Sequence, residues 1–209
     1  MSSGAAVAQM TLSAPAGAKV ITPLTTLIDG AGGALTVDEL KTSLGITVNP
    51  LEFNPFAAGA DANQAVAAEK AAQQIAAILT TVSTMGGGDV TAFTETVKAI
   101  AAKFDGTVVD MSSSAFVGDV LTASISAINT AKKAADSTAV DLEISDGNIA
   151  IFTNSIVNVN KILDDTLVSG VNLSSSAIKN ALATVSQFSE SISEITDFSV
   201  LGDLSTGGF

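Results

Sequence analysis

Apolar positions in this chain recur mostly at intervals of three and four residues, the pattern of helices that bury one face. Thr22 stands before Pro23, and Leu24, Leu27 and Ile28 follow. A threonine cap with proline in the first turn predicts a helix that stops in the glycine-rich residues 30–33. Thr36-Val37-Asp38-Glu39 has the form of a capping box, opening a helix with Leu40 and Leu44 that ends at Gly45. A longer helix is expected over 61–84, with Asp61 at its cap and Ile75, Ile78, Leu79 and Val82 on its stripe. Gly86-Gly87-Gly88 breaks it and Asp89 caps the next, over 90–104, whose stripe is Val90, Phe93, Val97, Ile100, Ala101 and Phe104. Residues 112–114 cap a helix over 115–135 with Phe116, Val120, Leu121, Ile125 and Ile128 inward. Ile149, Phe152, Ile156, Val159, Leu163 and Leu167 predict another helix, with Ile151, Val157 and Ile162 on a second face, so it reads as central and buried nearly all round. A last helix is expected over 175–195, built on Ile178, Leu182, Val185, Ile192 and Ile195.

The fold class implied is all-α, a bundle of about seven helices with a short N-terminal extended or β segment. Residues 1–21 are read as that extended segment. Met10-Thr11-Leu12-Ser13 suggests a strand, Ala14-Pro15-Ala16-Gly17 a turn, and residues 19–22 a second extended stretch. Residues 22–196 form the helical domain and 197–209 a flexible tail without lysine. Between the helices, residues 46–59 form a loop whose Phe53 and Phe56 are expected to pack on the core. Residues 136–148 form a polar connection with a short strand possible at 140–144.

Composition narrows the chemistry. The chain has 209 residues and a net charge of -12, with no His, Cys, Trp or Tyr, and all nine of its bases are lysine. That excludes a His- or Cys-ligated metal, a Ser-His-Asp or Cys-His nucleophile and a disulfide framework. It also removes the arginine fork that grips phosphate. So negative a chain repels nucleic acid and anionic membrane surfaces. No apolar run approaches the ~20 residues that span a bilayer, and residues 1–10 do not read as a Sec signal peptide. No membrane insertion is expected.

The segment from Thr11 to Phe56 carries TLSAPAGAKVITPLTTLI, a helix ending in LGI, and NPLEFNPF; Ala-rich helices with AVAAEKAAQQIA follow at 65–76. This resembles a helical module of large repetitive bacterial surface and secreted proteins, adhesin-like chains of immunoglobulin- or cadherin-like repeats. There a β-domain ends in a strand and a PAG turn, and the helical unit opens with TPLTTL, here Thr22, Pro23, Leu24, Thr25, Thr26 and Leu27. The likeness fades after Gly106, and Asn54-Pro55 stands where that pattern has Asp-Pro. The resemblance implies an extracellular or cell-surface setting, no catalytic residues, and neighbouring domains or copies of the chain as partners. The lysine-free C-terminus resembles the uncleaved signals of type I secretion substrates.

Candidate sites are few. Thr22, Thr25 and Thr26 group hydroxyls, but without an acid or base nearby they read as a cap and local backbone partners. Asp141, Glu143 and Asp146 form the densest run of acidic oxygens, the ligand type calcium takes, yet the spacing is not an EF-hand. A solvated connection with Asp146 as a helix cap is the favoured reading. Gly86-Gly87-Gly88-Asp89 lacks the strand and lysine of a phosphate loop, and Asp164-Asp165 reads as a surface helix face. The function expected is a non-catalytic spacer or scaffold module. The alternatives are a self-assembling filament or surface-layer subunit that donates its N-terminal strand by β-augmentation, and a calcium or small-ligand binding module. No cofactor is required, with calcium the one ion worth testing.

Overall fold

The computed structural model describes residues 11–86 and 88–171, together with residues 173, 176, 179, 183, 187 and 188. Among these, the chain forms six helices: α1 (Pro23–Gly30), α2 (Val37–Leu44), α3 (Ala62–Met85), α4 (Val90–Ala101), α5 (Ser114–Ala135) and α6 (Asp146–Thr166). No described residue lies in a β-strand. The seventh helix expected over 175–195 falls largely outside the described residues, of which Ser176, Lys179, Ala183, Gln187 and Phe188 are helical. Residues 1–10 and the tail at 197–209 also lie outside them.

Capping chemistry sets the helix starts. Thr36 Oγ1 accepts the Glu39 N–H at 3.2 Å, and Glu39 Oε2 accepts the Thr36 N–H at 2.8 Å, which completes the box that starts α2. Gly45 closes α2 at φ 64°, a left-handed turn that glycine adopts without steric cost. Asp61 and Asp89 accept from Gln64 and Thr91 at the starts of α3 and α4. At α6 the cap is Ser145, whose Oγ accepts the Asn148 N–H at 3.2 Å, so the start lies one residue earlier than an Asp146 cap would put it. α5 starts after Ser113, whose hydroxyl makes no capping bond.

The central helix is α3. It packs against α1, α4, α5 and α6, and α1–α4, α4–α5 and α5–α6 are neighbours in turn around it. Ile75, Ala77, Ile78, Leu79 and Val82 of α3 are completely shielded from solvent. The sequence pattern points instead to the helix after residue 146 as central. There Asn154, Asn158, Lys161, Ile162 and Asp165 are exposed, so α6 is amphipathic and its second apolar face is only partly covered. The difference comes from alanine. Its methyl groups at 65, 68, 71, 72, 76 and 77 are buried on several sides of α3 but register weakly in a hydrophobic pattern.

The main core joins Leu24, Leu27, Leu40, Ile78, Ile100, Leu121, Phe152 and Ile156. Phe104 and Phe116 meet there in a tilted pair with ring centres 6.2 Å apart. A second cluster holds Val66, Ala77, Val159, Leu163 and Leu167 between α3 and the end of α6. Two sequence expectations fail at the rim. Phe53 packs on the core but Phe56 is 60% exposed, and Val90, in the first turn of α4, is 76% exposed.

Two glycines make opposite demands on packing. A methyl group at Gly30 would lie 2.4 Å from Val97 Cγ1, where α1 meets α4, whereas one at Gly118 in α5 would find nothing closer than Thr153 Oγ1 at 3.6 Å. Gly30→Ala is therefore expected to destabilise the fold by about 1–2 kcal/mol, overpacking outweighing the gain in helix propensity. Gly118→Ala is expected to stabilise it by roughly 0.5–1 kcal/mol. Urea denaturation midpoints of the two variants check the pair.

Candidate functional site

Three places hold the candidate side chains. The first is the Thr22–Leu27 motif at the start of α1. Thr22 Oγ1 accepts the Thr25 N–H at 3.2 Å and Thr25 Oγ1 accepts the Thr22 N–H at 2.9 Å, so threonine fills the place a glutamate takes in the usual box. The same hydroxyls reach back to the preceding segment. Thr26 Oγ1 accepts the Ser13 N–H at 3.0 Å, and Thr25 Oγ1 and Thr26 Oγ1 lie 3.0 and 3.1 Å from the Ser13 carbonyl. Both also lie 2.9 Å from the Thr22 carbonyl, so two hydroxyl protons serve two carbonyl oxygens. Further along, the Lys19 N–H donates to the Leu51 carbonyl at 2.7 Å. Residues 11–22 are thus not strand but an irregular segment tied to the helical body at two points. Pro23 holds the first turn, and Leu24 and Leu27 fill the core.

The second place is the acidic connection before α6. Asp141 pairs with Lys133 at 2.6 Å, while Glu143 and Asp146 are exposed, Asp146 in the first turn of α6. Among the described residues, no three acidic side chains gather as a metal site would require. Residues 140–144 form no strand. Asn129 of α5 instead supplies a side-chain amide in place of a partner strand: its Oδ1 accepts the Leu142 N–H at 2.7 Å and its Nδ2 donates to the Leu142 carbonyl at 3.2 Å.

The third place is a polar cluster where α3, α6 and the 109–113 connection meet. Asp164 lies in it, not on a plain surface face. Its Oδ1 accepts from Lys70 Nζ and from Gln74 Nε2, each at 3.1 Å, and its Oδ2 accepts from the Ser112 hydroxyl. Gln74 Nε2 also lies 3.2 Å from the Asn160 carbonyl. Asn160 Nδ2 donates to the Met111 carbonyl at 2.6 Å, and the Ser112 N–H donates to Asp110 Oδ1 at 2.9 Å. Gln74 and Asn160 are buried, as charge-assisted and amide hydrogen bonds inside a low-dielectric core permit. An open cavity of about 420 Å³ lies against this cluster, and its lining includes the apolar side chains of Leu44, Ala67, Ala71 and Val109. Sequence reading missed the cluster. Its trace is a polar residue set within an apolar stripe: Gln74 one turn before Ile78, and Asn160 one turn after Ile156.

Elsewhere the carboxylates divide by environment. Hydrogen bonds from Thr36 hold Glu39 below its ordinary pKa, and bonds from Thr107 and Thr138 do the same for Asp105 and Asp136. Glu69, buried on α3, is pushed the other way by desolvation, opposed by a bond from Gln73 Nε2 at 2.8 Å. The three lowered groups contribute stability above their ordinary pKa values that is lost as pH falls through their folded values. Glu69 contributes in the opposite sense: its share is fully present below the ordinary glutamate pKa and is lost as pH rises through its raised folded value. Glu69→Gln is therefore expected to raise the urea midpoint at pH 7, with a gap from the parent protein that closes towards pH 4. A variant less stable than the parent by the same amount at both pH values would show that the carboxylate's charge is not what matters there.

Among the described residues, no helix is long and apolar enough to cross a membrane. No family model, curated protein or solved structure matches this chain.

Proposed function

We propose that this chain is a non-catalytic spacer or scaffold module of an extracellular bacterial surface protein of the adhesin-like kind, joined to neighbouring domains or to copies of itself. The observation that carries this reading is the double attachment of the entry segment. Ser13 is held by Thr25 and Thr26, and Lys19 by Leu51, before the chain reaches its helices. A spacer fixes the direction between its two neighbours only if its entry is rigid. A free linker samples a coil-like range of distances instead. The motif of the resembled module thereby has a mechanical role, in which its hydroxyls lock the incoming chain and its leucines anchor the lock in the core.

Two further features support a structural rather than a catalytic role. The hydroxyls of Thr25, Thr26 and Ser112 are engaged in internal hydrogen bonds. The surface is acidic and carries no cysteine, which suits an exposed protein that folds without disulfides.

The rigid entry is measurable because cysteine labels can be placed at will. In Ala16→Cys/Asn154→Cys carrying two spin labels, the distance distribution is expected to be narrow. Adding Thr25→Val and Thr26→Val removes hydrogen bonds worth about 1 kcal/mol each and is expected to broaden it while far-UV circular dichroism stays unchanged. A broad distribution in the protein with both threonines intact would overturn the spacer reading.

A further inference from the structure

The cavity beside the polar cluster carries an unbalanced charge. Asp110 and Asp164 both bond to Ser112, one to its N–H and one to its hydroxyl, which places two carboxylates within a single residue's reach. Among the residues that line the cavity the one cation is Lys70, and it lies 3.1 Å from Asp164. Asp164 is further satisfied by Gln74, so the remaining negative charge rests on Asp110, which is exposed at the cavity edge. Leu44 and Gly45, at the end of α2, line the same cavity. A helix C-terminus adds partial negative charge there. Asn160, completely buried behind Met111, has an Oδ1 without a hydrogen-bond partner, a further acceptor in this cluster. The lining of the cavity also includes the apolar side chains of Ala67, Val109 and Leu44.

We propose that this cavity binds a small organic cation, an alkylammonium whose head sits by Asp110 and Asp164 and whose hydrocarbon body lies along Leu44, Ala67 and Val109. The volume of about 420 Å³ is that of a small-molecule site. The excess negative charge disfavours an anion. An inorganic cation would meet two carboxylates and the Lys70 ammonium, a poor ligand set, and would gain nothing from the apolar side chains. An ammonium on a carbon chain uses both kinds of lining, through Coulomb attraction to the carboxylates and burial of CH₂ groups against the apolar side chains. This inference goes beyond the spacer reading and does not depend on it.

The test is an NMR titration of the full chain with n-butylammonium chloride, with sodium butyrate and calcium chloride as comparators at equal ionic strength. Saturable shifts are expected at Leu44, Ala67 and Val109 with butylammonium. Affinity should rise about three- to fourfold for each CH₂ added from methyl- to butylammonium. Asp110→Asn keeps an acceptor for the Ser112 N–H but removes the charge, and should weaken binding about tenfold. Lys70→Met frees Asp164 and removes a competing cation, and should strengthen it. Shifts that do not saturate, that persist unchanged in Asp110→Asn, or that appear equally with butyrate or calcium would overturn the proposal.

Discussion

Burial of α3 is the constraint on which the other elements depend. A helix shielded along this much of its length must present small side chains wherever a neighbour crosses it, and the alanines at 65, 68, 71, 72, 76 and 77 do so. Large side chains then come from the partners, with Leu27 from α1, Ile100 from α4, Leu121 from α5 and Ile156 from α6 converging on the core. The close approach recurs where Gly30 of α1 meets Val97 of α4. Tight packing of this kind gives a core with few aromatic rings, because dispersion contacts between closely spaced aliphatic groups take their place.

Such a core is not apolar throughout, and the structure shows how its polar residues are accommodated. Thr81 Oγ1 donates to the Ala77 carbonyl at 2.8 Å, Thr96 Oγ1 to Ala92 at 2.6 Å, and Ser124 Oγ to Val120 at 2.7 Å. Each hydroxyl returns to its own helix four residues back, which allows it to be buried without a partner from elsewhere. Gln74 and Asn160 instead reach beyond their own helices: Gln74 Nε2 donates to the Asn160 carbonyl and lies 3.4 Å from Ser112 Oγ, and Asn160 Nδ2 donates to the Met111 carbonyl, which ties α3 and α6 to the 109–113 connection. The irregular connection is thereby fixed by side chains where no strand or helix would fix it. The Ser43 hydroxyl acts likewise on the turn at Gly106, accepting its N–H at 3.2 Å.

How much of this was legible depends on which interactions are local. Thr22, Thr36, Asp61 and Asp89 announced four helix starts because capping is settled within three residues. The stripes of α4 and α5 were legible apart from Val90, because one face of each is buried and the 3.6-residue period records it. The identity of the central helix was not, since alanine adds little to any hydrophobic pattern and much to close packing. The role of Thr25 and Thr26 was half legible. Bonding to nearby backbone could be expected from residue type, but the hold on Ser13 joins residues twelve and thirteen apart. The cluster around Asp164 joins residues as far apart as Gln74 and Asp164, and no local rule reports it. Asp141, Glu143 and Asp146 illustrate the converse: three acidic residues close in sequence whose side chains the fold does not gather.

With α1, α4, α5 and α6 all packed against it, α3 is expected to be the last element to lose its structure. Native-state hydrogen exchange tests that ordering directly. The amides of Ile75 to Val82 should exchange only through global unfolding, with a free energy equal to that from urea denaturation. Residues in the outer turns of α5 and α6 should exchange through smaller openings. Exchange of the α3 amides through a sub-global opening, while α5 or α6 remained protected, would contradict the claim that the fold is built on α3.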